Sequence, residues 1–199
     1  MILSKEDLLE YMACDKRALG LAGKSRRACS RNRIWRFEKA LRRAEYANNC
    51  CRRLWQKPYV KLCNLIYRRR GERLGFTIPL HVFGKGLSIA HAGTIVVNGA
   101  ARVGEYCRLH VCVNIGTQAG QGTAAPIIGD RVYIAPGAKL FGAIRIADDI
   151  AIGANAVVNK SFETPGVTVA GVPARVISNK GPFGLLYAGQ NPAAQDRKQ

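Results

Sequence analysis

The sequence predicts a mainly β chain: a parallel β-helix of hexapeptide repeats with a short basic α-helical N-terminal domain. Three observations predict it. A branched aliphatic residue recurs every six positions at Val97, Val103, Leu109 and Ile115, and again at Ile128, Ile134, Leu140, Ile146, Ile152 and Val158. A period of six marks a parallel β-helix, in which each unit is one short strand plus a corner and three units close one triangular coil. The residue after each ladder position is mostly small (Gly104, Gly116, Gly129, Ala135, Ala147, Gly153), as tight corners require. Charge is also unevenly shared. Residues 1–74 hold 20 Lys and Arg against 7 Asp and Glu, and residues 75–199 hold 11 against 6, so most of the net charge of +18 belongs to the first third.

Taken in order, Ser4-Lys-Glu-Asp7 resembles a capping box, and Leu8, Leu9, Met12 and Leu19 follow at roughly helical spacing until Gly20 to Gly23 end the helix. A second helical pattern begins at Arg31 and runs through Ile34, Phe37, Leu41 and Ala44. A third segment, Cys50 to Arg73, is broken at Pro58 and carries Leu62, Leu65 and Ile66 before Arg68-Arg69-Arg70. Trp35, Phe37, Tyr46, Trp55 and Tyr59 stand where core or helix-packing residues would. The composition changes at Gly71 to Pro79, placing a basic helical domain at 1–74, a β-helix domain at 75–180 and a mobile or neighbour-bound tail at 181–199. One step of the ladder departs from six. Ile115 and Ile128 are thirteen apart, and the Gly-rich stretch Thr117 to Ala125 must project from a corner, where function is usually built.

Composition bounds the setting. Cys14, Cys29, Cys50, Cys51, Cys63, Cys107 and Cys112 are an odd set without a CxxC pair, which favours reduced thiols over a disulfide framework or zinc site, with Cys107 and Cys112 filling small ladder positions. The N-terminal segment carries Glu6 and Asp7 where a signal peptide wants basic residues, and no apolar run is long enough to span a bilayer. The expected location is cytoplasmic, or peripheral to the inner face of the membrane through the basic helices. A basic helical segment also suits nucleic acid, but no recognised reading motif accompanies it.

Three histidines are present: His81, His91 and His110. With eighteen residues to a coil, Leu109 falls one coil above His91, so His91 and His110 approach one another on adjacent coils. Neither has a histidine ligand at short spacing, and no metal is expected. A neutral imidazole near a hydroxyl is a general base suited to physiological pH; a histidine satisfied at a strand corner is the structural alternative for His91.

The segments Ile89-Ala-His91-Ala-Gly-Thr, Asn114-Ile-Gly-Thr, Ile134-Ala-Pro-Gly-Ala-Lys-Leu-Phe-Gly142, Ile152-Gly-Ala-Asn-Ala-Val-Val158 and Ala170-Gly-Val-Pro-Ala-Arg175 resemble the serine acetyltransferase family, and more closely its capsule- and exopolysaccharide-associated branch. The resemblance spans residues 75–178. It implies a left-handed β-helix, a homotrimer, and acetyl-CoA lying in a groove between two subunits with the active sites there. It makes His91 the base that deprotonates an acceptor hydroxyl, with His110 a second catalytic candidate. It places the cofactor arm along Gly116, Thr117, Gly137, Ala138, Ala154 and Asn155, with Lys160 and Arg175 near the phosphates.

Departures from the family pattern bear on the acceptor. Ala90 replaces the aspartate before the base, Thr123-Ala-Ala-Pro126 replaces Asp-Arg-His-Pro, and an aspartate near Phe76 to Thr77 is lost. Without the arginine, burying a serine carboxylate costs several kcal/mol. The expected function is therefore acetyl-CoA-dependent O-acetylation of a saccharide hydroxyl. Serine O-acetylation is the alternative within the class, and a non-catalytic scaffold docked on an anionic surface is the alternative outside it. The N-terminal domain is shorter than the one that pairs family trimers into hexamers, so a trimer is expected.

Overall fold

The computed structural model describes residues 1–120 and 122–186. Position 121 of the projecting loop and residues 187–199, which make up most of the expected tail, lie outside the described residues. Four α-helices come first: α1 (Lys5–Ala18), α2 (Arg26–Arg31), α3 (Arg33–Cys50) and α4 (Lys57–Glu72), with a 3-10 turn at Leu54–Gln56 before α4. The capping box on α1 forms as expected, Ser4 Oγ accepting from Asp7 N and Asp7 Oδ2 from Ser4 N. Pro58 does not break the third segment. It lies at the start of α4, where its missing N–H would be unpaired in any case.

The strands follow as β1 (Phe76–Thr77), β2 (Ser88–Ile89), β3 (Ile95–Val97), β4 (Arg102–Val103), β5 (Arg108–Leu109), β6 (Asn114–Gly116), β7 (Ile127–Ile128), β8 (Tyr133–Ile134), β9 (Lys139–Phe141), β10 (Arg145–Ile146), β11 (Ala151–Ile152), β12 (Val157–Val158), β13 (Thr168–Gly171) and β14 (Ala174–Ser178). They form the three faces of a left-handed parallel β-helix. One face orders β1-β3-β6-β9-β12, the second β10-β7-β4, and the third β14-β13-β11-β8-β5-β2, with β13 and β14 closing the end as an antiparallel hairpin. All ten ladder residues are buried, so the sixfold period is the interior of the prism.

Register shows what holds each corner. Leu109 pairs with Ile89 and Ile134, and Ile134 with Ile152. Asp130 Oδ1 accepts from Glu105 N at 2.7 Å and Asp148 Oδ1 from Asp130 N at 2.9 Å, stacking one edge of the prism. A side chain at Gly104 would meet Asp130 Oδ1 at 2.1 Å, which explains the glycine there. Cys107 is buried in the ladder, but Cys112 is an exposed corner residue with a positive φ rather than a space-filler.

The helices are joined to the prism by a buried polar cluster. Arg42 on α3 donates through Nε to Asp15 Oδ2 of α1 at 2.7 Å, through Nη1 to Glu45 Oε2 at 3.0 Å, and to the carbonyls of Phe83 and Gly84 at 2.9 and 2.6 Å. Asp15 Oδ1 also accepts from Gly86 N and Leu87 N, and Glu45 Oε1 from His81 N. Burial alone would lower the Arg42 pKa, but Asp15 and Glu45 outweigh it and hold the guanidinium above its ordinary range. Beside this cluster, Phe37 packs on Phe76 and Tyr67, and Tyr67 donates its hydroxyl to Ile78 O. Trp35 and Phe37 are core residues as expected, whereas Trp55, in the 3-10 turn, and Tyr59, outside the Val60, Cys63 and Tyr67 set that packs on Ala44 and Ala47 of α3, are 71% and 45% exposed. No helix among the described residues is long and apolar enough to cross a membrane.

Candidate active site

The corner that follows β2 differs from those stacked on it. From Leu109 to Ile115, from Ile134 to Leu140 and from Ile152 to Val158 the interior positions step by six, but Ile89 and Val97 of the first coil are eight apart while occupying the same register. The two extra residues enlarge the corner, and Gly93 turns it with φ 149°. His91 rides on this enlargement and is exposed. The first coil is consequently longer than eighteen residues. Leu109 sits over Ile89 rather than His91, and His110 sits over Ala90, with Ala90 N donating to Leu109 O at 2.9 Å.

The two imidazoles are still neighbours, their ring centroids 6.3 Å apart. His110 is packed on its other side by Tyr133 of the next coil at 5.0 Å. Its Nε2 is buried without a hydrogen-bond partner. Burial first, then the positive charge of Arg108 and the neighbouring His91, pull the His110 pKa down to about 4. The ring is therefore neutral at physiological pH. Arg108, itself almost fully buried, donates to Ser88 Oγ at 3.1 Å and stands near enough to His110 to act on its charge. Sequence reasoning missed it because β5 reads as an ordinary ladder strand. The register Ser88↔Arg108↔Tyr133 along this face, once the coils are aligned, is the signal that finds it.

The other expected residues divide between two edges. Gly137, Ala154 and Asn155 lie on the same edge as His91 and His110. Asn155 N donates to Pro136 O at 2.9 Å, and a side chain at Gly137 would meet Asn155 Oδ1 at 2.0 Å, so corner stacking already accounts for this glycine. Ala138 is wholly buried inside the prism, and its side chain cannot line a groove. Gly116 ends β6 and Thr117 follows it, and Lys160 comes two residues after β12, on the next edge. Lys160 lies over the Phe162 ring at 5.6 Å. Arg175 is exposed on β14 in the closing hairpin. Among the described residues no group of three or more His, Cys, Asp or Glu could hold a metal ion.

No protein-family model matches the chain. Among curated proteins it is 36% identical over 135 residues to a serine acetyltransferase of Mycobacterium tuberculosis, covering 65% of this chain and 57% of that protein. It is 38% identical over 96 residues to a serine acetyltransferase of Helicobacter pylori, covering 48% and 56%. The chain thus spans little more than half the length of these relatives. Among solved structures, soybean serine acetyltransferase complexed with serine superposes with a TM-score of 0.67 at 26% identity, over 87% of this chain and 70% of that one. These similarities correct two expectations. They point to the serine acetyltransferases and not to the capsule- or exopolysaccharide-associated branch, and the saccharide acceptor falls with that branch. The physical premise for a neutral acceptor was the loss of a cation from the projecting loop; Arg108 stands on the strand that leads to His110, where it donates to Ser88 Oγ.

Proposed function

We propose that the chain is an acetyl-CoA-dependent serine O-acetyltransferase in which His91 is the general base. The observation that carries this reading is the placement of His91 on an enlarged and exposed corner, its ring 6.3 Å from that of a neutral His110. In the reaction the imidazole takes the proton of the serine hydroxyl while its oxygen attacks the thioester carbonyl. The new C–O bond forms, the C–S bond breaks, and the imidazolium returns the proton to the departing thiolate, giving O-acetylserine and free CoA. A positioned base of this kind supplies about 10² to 10⁴ in rate.

The division of the expected cofactor residues between two edges supports a homotrimer with its sites between subunits, one subunit lending the His91 edge and the next the Gly116, Thr117 and Lys160 edge. The seven unpaired cysteines support a reducing, cytoplasmic setting. The test is release of free thiol from acetyl-CoA by the purified protein with L-serine. Turnover that saturates with serine and falls by about 10² to 10⁴ in His91→Ala is expected. A His91→Ala protein as active as the parent, or no serine-dependent thiol release, overturns the reading. The same preparations measured by light scattering should be trimeric, and a monomer overturns the shared site.

A further inference from the structure

Where the end of α4 meets α3, four guanidinium groups surround one cavity. Arg33 and Arg36 of α3, Arg70 in the last turn of α4, and Arg73 just beyond it line about 160 Å³, with Leu74 as the floor. Two of them are pinned across the helix pair: Arg70 Nη1 donates to Arg36 O at 2.6 Å and Arg33 Nη2 to Arg73 O at 3.2 Å. Lys39 and Arg43 extend the same stripe along α3, three and seven residues after Arg36. None of these six cations forms an ion pair among the described residues. The acids of α3 are directed elsewhere, Glu38 to Ile89 N and Glu45 to Arg42 and His81 N. Glu72 is exposed and unpaired.

Such a convergence is unfavourable by itself, since like charges held together in a partly desolvated place repel. Burial, then Arg36 and Arg43, pull Arg70 below its ordinary value, and burial, then Arg43, Arg70 and Arg36, do the same to Lys39. A solvated basic face spreads its charges apart, but here backbone carbonyls hold the guanidiniums of Arg33 and Arg70 at the concavity that Arg36 and Arg73 also line. Planar donor forks around a small cavity suit the oxygens of a phosphate group, which accepts several charge-assisted hydrogen bonds at once.

We propose that Arg33, Arg36, Arg70 and Arg73 form a binding site for a multiply charged phosphate group, separate from the histidine corner. The shared chemistry is a phosphomonoester or diphosphate, free in solution or carried on a lipid headgroup. The inference does not depend on the acetyl-transfer reading, and binding alone tests it. Titration calorimetry of the full chain with inorganic pyrophosphate, and co-sedimentation with phosphatidylcholine vesicles containing phosphatidic acid, are each run on the parent, on Arg36→Gln/Arg70→Gln and on the control Arg26→Gln/Arg27→Gln, whose arginines lie on α2 outside the cavity.

The expected result is one pyrophosphate per chain, weakened by about tenfold or more in the cavity variant and by less than about twofold in the control. Vesicle binding that shows the same dependence without binding of free pyrophosphate assigns the lipid as the source. Equal weakening in both variants means diffuse charge attraction and overturns the site, as does binding in neither arm. Without ligand the cavity variant should melt at or above the parent temperature, because repulsion is relieved. If it does not fold, Arg73→Gln alone, at an exposed position beyond α4, carries the same comparison.

Discussion

Replacing Arg42 with methionine tests whether the buried polar cluster holds the helices to the prism. The substitution keeps the length of an unbranched side chain but deletes a cation that reaches Asp15, Glu45 and the carbonyls of Phe83 and Gly84. Asp15 would keep its bonds from Gly86 N and Leu87 N, and Glu45 its bond from His81 N, so each carboxylate stays partly satisfied. Both would nonetheless remain buried without a counter-charge, and the buried Phe83 and half-buried Gly84 carbonyls would lose a donor. Breaking a buried pair from one side costs about 3 to 5 kcal/mol, a large part of the roughly 5 to 15 kcal/mol that stabilises a domain. Urea unfolding followed by far-UV circular dichroism and by the fluorescence of buried Trp35 reads the helical part directly. A loss below about 1 kcal/mol, within the range of an exposed ion pair, would refute the argument and mean that apolar packing of Phe37 and Leu41 holds the helices alone.

Glu38 gives an opposite sign. Burial, with the negative charge of Asp15 added, pushes its carboxyl well above the ordinary range, and Oε2 has no partner, so folding takes up a proton there and stability falls as pH rises above the unfolded value of 4.5. Glu38→Gln keeps the carbonyl that accepts from Ile89 N; it should match the parent near pH 4 and exceed it by about 1 kcal/mol or more at neutral pH, as urea midpoints at the two pH values will show. His110 is a base with a depressed pKa. Its contribution is complete above the unfolded value of 6.5 and is lost as pH falls toward about 4. The ring should titrate near 4 by proton NMR, and Arg108→Gln should move that midpoint upward; a midpoint at 6.5 would contradict the buried, cation-flanked placement.

The prism was legible because its interior repeats. Every ladder residue from Val97 to Val158 is buried, and the thirteen-residue gap does leave the coil between β6 and β7. The helices were legible in number and approximate position but not in what they cover. Tyr59 carries no local sign of which side of α4 faces α3, nothing near Trp55 marks it as part of an exposed 3-10 turn, and Pro58 has the same letter whether it ends a helix or begins one. The Asp15–Arg42 contact joins residues 27 apart on different helices, and only the packing of α1 against α3 creates it. At the site, His91 was found from a motif, but its pairing was misplaced by assuming a uniform coil. The eight-residue step from Ile89 to Val97 was visible in the chain, and it is the step that puts His91 outside the prism.

A β-helix has little freedom to build a site, since its interior positions are committed to stacking and its corners to small residues. Chemistry is confined to places where the period is broken. Two such breaks flank one face: before β3, where the corner carrying His91 is enlarged, and after β6, where the described residues between Thr117 and Ala125 leave the coil. The two departures stand at opposite edges of the face containing β3 and β6, separated by one unit of six residues, about 20 Å at the rise of an extended strand. In the proposed assembly a second copy would bring its loop edge against the first copy's histidine edge, so that both departures serve one reaction.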